Sequence, residues 1–172
     1  GYLGYFYNPS MNNAYLLIGG NLGDRLANLN NAIQKIELHC GKIISSSTIY
    51  ETAAWGFTEQ PPFFNQALQV ETALSATELM QQLLSIELSL GRERLLPLGP
   101  RSIDLDIIYF NNEIIQNDIV SIPHPRMEQR NFVLIPLNEI APTFLHPVLH
   151  IPTSTLLKQC KDESHVYKKT TN

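Results

Sequence analysis

The chain contains no stretch of about eighteen apolar residues, so no membrane-spanning helix is expected. It has two cysteines, Cys40 and Cys160, and neither belongs to a Cys-x-x-Cys pair. A disulfide framework is therefore excluded, and both read as reduced thiols of a cytoplasmic protein. Net charge is only −4, which speaks against general nucleic-acid binding. No Gly-x-x-x-x-Gly-Lys-Ser/Thr loop and no kinase-type glycine-rich loop occur, so the common phosphate cradles are missing. Internal repeats and low-complexity blocks are also absent.

What is present suits one globular domain: 172 residues, of which 44% are hydrophobic. Residues 1–10 are rich in Gly, Tyr and Phe and precede Met11. They have no basic start and no long apolar core, so they do not read as a signal peptide. Residues 1–12 are set aside as an extension or a cloning scar. Residues 13–163 are taken as the domain, and 164–172 as a polar, frayed tail.

Residues 14–18 read as a short apolar strand. Leu26, Leu29, Ile33 and Ile36 recur at helical spacing, between an N-cap at Asp24 and a stop at Gly41. Residues 42–50, rich in Ile, Ser and Thr, read as one strand, and 66–72 as another, with a loop between them. Ser75-Ala76-Thr77-Glu78 is a capping box. It opens a helix with Leu79, Leu83, Ile86 and Leu90 on one side, ended by Gly91. After an irregular stretch at 92–101 comes a strand at 103–110. Asn111-Asn112 then turns into a return strand at 113–115. Residues 127–138 read as partly helical despite Pro136, and Thr153 or Ser154 caps a short last helix. The order β-α-β-β-α-β predicts an α+β, ferredoxin-like fold, with a mainly antiparallel sheet, helices packed on it and C-terminal additions. Such folds host many activities, so function has to be argued from a site.

The strongest candidate is Asp104-Leu105-Asp106. On a strand the two carboxylates point the same way and repel each other unless a cation lies between them. The strand around them looks buried, and burying two bare carboxylates is costly. The cation they suit is hard and oxygen-seeking, Mg²⁺ above all. The other reading is a solvent-facing polar edge. Five of the six arginines (Arg92, Arg94, Arg101, Arg126, Arg130) fall between positions 92 and 130, which points to a local anion site. A solvated basic surface is the alternative. The apolar loop Leu95-Leu96-Pro97-Leu98-Gly99 between charged ends reads as a cover over a polyphosphate or as a surface loop with a leucine patch. His124 is aimed by prolines on both sides, and Arg126 and Arg130, four apart, would share a helix face. Trp55, Phe63, Phe64 and Asn65 in the 51–65 loop offer rings and an amide for a flat heterocycle, with at least one Phe serving as core. His146 and His150 read as structural.

These motifs together resemble the 6-hydroxymethyl-7,8-dihydropterin pyrophosphokinase family, from about Tyr15 to about Pro142. The resemblance rests on Ile18-Gly19-Gly20-Asn21-Leu22-Gly23-Asp24, Tyr50-Glu51-Thr52, Gln60, Phe64-Asn65 and Glu87. It continues through Gly91-Arg92-Glu93-Arg94, Gly99-Pro100-Arg101-Ser102-Ile103-Asp104-Leu105-Asp106 and Pro123-His124-Pro125-Arg126-Met127. Arg130, Phe132-Val133-Leu134 and Pro136-Leu137 complete it. Gly-Pro-Arg-x-x-Asp-x-Asp is highly specific to that family. Departures are Gly20 where Ser is usual, Pro97-Leu98 where a basic and an aromatic residue are common, and Ala53-Ala54 in place of prolines.

The resemblance implies a ferredoxin-like fold, ATP as co-substrate, two Mg²⁺, and transfer of diphosphate to the pterin hydroxymethyl group for folate biosynthesis. Asp104 and Asp106 become metal ligands and catalytic residues, joined by the phosphate-binding arginines Arg92 and Arg101. Glu87, Arg94, Ile107, Ser121, His124 and Arg130 fall on the ATP side. Thr52, Ala53, Trp55, Phe63, Asn65 and Phe132 surround the pterin, with Phe63 and Phe132 stacking. The expected partners are the small molecules alone, with no nucleic acid or membrane, and a monomeric chain. The alternatives are another Mg²⁺-dependent nucleotidyl or phosphoryl transferase, and a non-catalytic ferredoxin-like ligand-binding domain.

Overall fold

The computed structural model describes residues 11–53, 60–91 and 102–169. The central strand β1 (Asn12–Gly20) pairs antiparallel with β4 (Phe63–Thr72) on one side and β5 (Asp104–Phe110) on the other. Beyond β4 lie β2 (Lys42–Ser46) and β3 (Tyr50–Thr52), and a final strand β8 (Val166–Lys168) extends the sheet past β3. Helices α1 (Arg25–His39) and α2 (Ala76–Ser89) cover one face. Helices α3 (Asn131–Ile140) and α4 (Thr153–Gln159) cover part of the other. A sheet covered on both faces needs strands that are apolar throughout rather than alternating. Residues 14–18 meet that need, since all of them are buried.

The signals of the first two helices hold. The Asp24 side chain accepts from the Ala27 N–H at the start of α1, and α1 ends at Cys40 before Gly41. At α2 the Ser75 hydroxyl and Glu78 carboxylate cap each other's backbone N–H groups. Leu29, Ala32 and Ile36 from α1 meet Leu79, Leu83 and Ile86 from α2 over Leu16, Ile18, Leu68 and Leu105.

Several strand readings need correction. The single strand expected at 42–50 is two strands on successive parts of β4. At the break the Ser47 hydroxyl accepts from the Ala67 N–H, and the Ser47 N–H donates to the Ala67 carbonyl. A side chain thus replaces one ladder bond. The strand expected at 66–72 begins at Phe63, so Phe63, Phe64 and Asn65 stand on β4 rather than in a loop. The return strand near 113–115 does not pair with the aspartate strand. Instead β6 (Ile115–Gln116) pairs with β7 (Ser121–Ile122) in a small separate hairpin. Thr153 is the first residue of α4 and not its cap; its hydroxyl donates to the Phe144 carbonyl. The polar tail is not wholly frayed, because its backbone at 166–168 continues the open edge of β3.

A β-bulge between β1 and β5 leaves Ile108 without a partner on β1. Both Ile108 and Tyr109 therefore pack toward α3, and Phe110 returns to the α1/α2 side. Tyr109 meets the Phe144 ring at 4.7 Å and the edge of His146 at 6.0 Å. His146 is structural, as its sequence context indicated. Its Nδ1 accepts from the Val148 and Leu149 N–H groups.

Two predictions follow from this packing. Gly19 lies opposite Asn65, where a Cβ would collide with Asn65 Oδ1 and the Phe64 carbonyl. Gly19→Ala should destabilise the fold by about 1–3 kcal/mol, the usual penalty for overpacking, read from denaturant midpoints. An unchanged midpoint would contradict the close approach. Burial pushes the His146 pKa below its ordinary 6.5. Between the lowered folded value and 6.5 the unfolded chain binds more protons than the folded one, so stability falls as the pH drops through that window. Urea midpoints should therefore decline as the pH falls below the ordinary 6.5, and His146→Gln should flatten the decline. An equal slope in the variant would show that His146 is not the group responsible.

Candidate active site

The register of β1 brings the candidate residues to one face. Directly paired residues of antiparallel strands point to the same side. Gly19 stands between Asp104 and Asn65, and Tyr50 extends that row. Leu17 stands between Asp106 and Ala67. Phe63, two residues from Asn65, is paired with Thr52. Asp104, Asp106, Asn65, Phe63 and Thr52 thus share the face that carries α3. Gly19 in their midst has no side chain and leaves Asn65 room to lie across it.

The apolar cover from α3 and α4 reaches Leu17 and Ile108 and stops there. Beyond it the face is polar and partly open. The aspartate pair is consequently not sunk in a buried strand, as its neighbours in sequence implied. Leu105 and Ile107 point into the α1/α2 core, while Asp104 is half-buried and the Asp106 side chain is 50% exposed. The same-side geometry stands without the burial argument. Among the described residues, no three His, Cys, Asp or Glu side chains gather closely enough to enclose a metal. Two partly exposed carboxylates on one face fit Mg²⁺, which is usually held by one or two carboxylates, with substrate phosphates and water completing its shell.

Glu87 reaches this region from α2. It is buried, and its carboxylate accepts from the Leu105 N–H at 2.7 Å. β5 is an edge strand, so this contact satisfies an outward N–H between the two aspartates. Ile107, expected on the ATP side, has its side chain in the core. Thr52 is buried, and its hydroxyl has no hydrogen-bond partner among the described residues. Such a hydroxyl, beside Asn65 and Phe63, could both donate a hydrogen bond and accept one. Ala53 follows it and is exposed.

His124 and Arg130 come up beside the aspartates from residues 121–132. The His124 N–H donates to the carbonyl of the bulged Ile108, which holds the segment against β5. His124 Nε2 lies 3.8 Å from Asp106 Oδ2, and its Nδ1 is buried without a described partner. Ser121 on β7 donates its hydroxyl to Gln116. Arg126 and Arg130 do not share a helix face. Arg126 adopts a left-handed conformation (φ 59°) ahead of a 3₁₀ turn at Met127–Gln129, and Arg130 is extended at the start of α3. Burial and the nearby Arg126 pull the Arg130 pKa down from its ordinary value, while Asp106 pulls it the other way. Its guanidinium lies 5.9 Å from the centre of the half-buried Phe132 ring.

Trp55, Arg92, Arg94 and Arg101, with the Leu95–Leu98 loop, lie outside the described residues. Arg25, the one arginine apart from the cluster, was not singled out in sequence. Its guanidinium donates to the Pro62 carbonyl, pairs with Glu51 at 3.4 Å and covers the Phe64 ring at 3.9 Å. Asn21 donates to Gln60 and to the Pro61 carbonyl. Together they pin residues 60–62 just before β4. No local signal marks such contacts, because they join positions more than 25 residues apart.

A family model described as 7,8-dihydro-6-hydroxymethylpterin-pyrophosphokinase (HPPK) matches residues 15–142. The folic acid synthesis protein FOL1 of Dictyostelium discoideum is 44% identical over 149 residues, covering 87% of this chain but 22% of that protein. The 2-amino-4-hydroxy-6-hydroxymethyldihydropteridine pyrophosphokinase of Aquifex aeolicus is 39% identical over 156 residues, covering 90% of this chain and 93% of that protein. A crystal structure of Plasmodium falciparum HPPK-DHPS shares the fold with a TM-score of 0.69 at 19% identity, over 87% of this chain and 43% of that one. The chain therefore spans about a fifth of the Dictyostelium relative, less than half of the Plasmodium chain and nearly all of the Aquifex one. The chain belongs to the 7,8-dihydro-6-hydroxymethylpterin-pyrophosphokinase family.

Proposed function

We propose that this chain transfers the β,γ-diphosphate of ATP to the hydroxymethyl oxygen of 6-hydroxymethyl-7,8-dihydropterin, a step of folate biosynthesis. The observation that carries this reading is the shared sheet face of Asp104, Asp106, Asn65, Phe63 and Thr52, with His124 and Arg130 beside Asp106 and Phe132 next to Arg130. The aspartates and basic residues suit a polyphosphate; the rings, amide and orphan hydroxyl suit a flat heterocycle. The architecture is an interrupted form of β-α-β-β-α-β, with β2 and β3 serving as one strand. The order β5-β1-β4-β3 supports a ferredoxin-like reading.

Asp104 and Asp106 would hold two Mg²⁺, which supply charge neutralisation on the triphosphate and acidify the acceptor hydroxyl. Phe63 and Phe132 would sandwich the pterin, while Asn65 and Thr52 read its edge. Glu87 keeps the strand between the aspartates in place. In the transfer, the hydroxymethyl oxygen bonds to the β-phosphorus and loses its proton, the bond from that phosphorus to the α-phosphate oxygen breaks, and AMP departs. His124, Arg130, Arg92, Arg94 and Arg101 would take up charge on the diphosphate and on AMP. Ser121 and the Ile107 backbone would border the nucleotide. The chain is read as a cytoplasmic monomer that acts on small molecules alone. Among the described residues, no helix is long and apolar enough to cross a membrane.

The decisive assay is pterin-dependent release of AMP from ATP with Mg²⁺. Release of ADP would instead mean transfer of a single phosphate. No Mg²⁺-dependent binding of an ATP analogue would favour a silent binding domain. Asp106→Ala should lower turnover by at least about a hundredfold, the scale of one lost transition-state contact, while pterin affinity stays within a few-fold. Near-normal turnover would remove Asp106 from the metal site. Arg101→Ala should lower turnover more than ATP affinity, and a pure affinity defect would contradict that role.

A further inference from the structure

Helix α3 starts badly by its own sequence. Its N-cap is Arg130, whose side chain has no acceptor and makes no capping bond. Ser, Thr, Asp or Asn is the usual choice, because the first N–H groups of a helix need acceptors. The acceptor comes from much further along the chain. Asp162 Oδ2 accepts from the Asn131 N–H at 2.9 Å, and the Asp162 carbonyl accepts from the Asn131 side-chain amide at 2.7 Å. The other carboxylate oxygen accepts from the Ser164 N–H at 2.9 Å. These bonds outweigh the effect of burial and hold the carboxyl below its usual range.

The tail then runs from this cap to the far wall of the site. Two residues past Ser164, β8 begins, and Val166 is paired with Thr52. The Lys169 N–H donates to the Ile49 carbonyl. One short segment thus ties the start of α3, with Arg130 and Phe132 on either side of Asn131, to the strand that carries Thr52. All of it lies beyond residue 142, where the family match ends.

We propose that Asp162 is a positioning residue of the substrate site. By supplying the cap of α3 from outside, it allows an arginine to occupy the N-cap position. It thereby fixes Arg130 and Phe132 against the Asn65 and Thr52 wall. A carboxylate at that end also complements the helix dipole, which Arg130 alone would oppose. The role rests on the reaction proposed above for its kinetic readout, but the cap itself can be measured without it.

The test compares wild type, Asp162→Ala and Asp162→Asn in steady-state kinetics, in pterin binding by calorimetry and in amide hydrogen exchange. Asp162→Ala should raise the pterin KM and Kd about three- to thirtyfold, the range that loss of one helix cap corresponds to, with kcat within about threefold. Asp162→Asn keeps one acceptor and should recover most of the loss, which a merely bulky or stabilising residue would not predict. The Asn131 and Phe132 amides should exchange faster in Asp162→Ala. Should that variant fail to fold, Asp162→Ser, whose hydroxyl is too short to reach, gives the same comparison. Pterin KM and Kd within twofold of wild type, or a loss of kcat at unchanged KM, would overturn the proposal. Faster exchange in the variant with no turnover in wild type would leave the cap standing and sink the reaction instead. Unchanged exchange would remove the cap.

Discussion

β1 is hydrogen-bonded along its length to β4 and to β5, and its side chains are buried on both faces. Everything that touches the site depends on that register. Because side chains alternate, a one-residue slip would send Asp104 and Asp106 into the α1/α2 core and bring Leu105 and Ile107 to the open face. Leu16, Ile18, Leu105 and Leu68 packed under two helices make the slip prohibitive. The core on one side of the sheet therefore fixes which side chains stand on the other. Gly19 is where the two requirements meet, since the row between Asp104 and Asn65 has no room for a side chain.

The face left open is an economical use of a partial cover. α3 and α4 bury Tyr15, Leu17, Ile108 and Tyr109 and stop short of the last strand positions. The bulge at Ile108 marks the boundary, and its carbonyl is the anchor for His124. α3 is in turn held at both ends by carboxylates from its surroundings and its own sequence. Asp162 satisfies its first N–H, and Glu139 accepts from the Tyr50 hydroxyl and from Thr48. A helix clamped in this way can present an arginine and a phenylalanine at its start without relying on a good local cap.

Legibility from sequence followed the range of the interaction. Asp24, the Ser75/Glu78 box and Gly91 are local signals, and the helices begin and end beside them. The same-side placement of Asp104 and Asp106 is a local property of a strand and was readable as such. The partition of residues 42–50 was not, because the break depends on Ser47 bonding to Ala67 across the sheet. The hairpin from Asn111 was misread for a similar reason: Ile115 finds Ile122 rather than β5. Arg126 and Arg130 looked like a helical pair by spacing, but the chain turns left-handed at Arg126.

The sequence by itself determined the family, the element types and the residue kinds at the site, since motifs, caps and alternation are written in neighbouring positions. The tertiary structure alone decided how exposed the aspartates are, that Ile108 is bulged out of the pairing with β1, and that Asp162 serves a helix thirty-one residues earlier. Those outcomes depend on which surfaces pack together and which backbone groups remain unpaired. Such pairings are made across the fold, where no spacing along the chain records them.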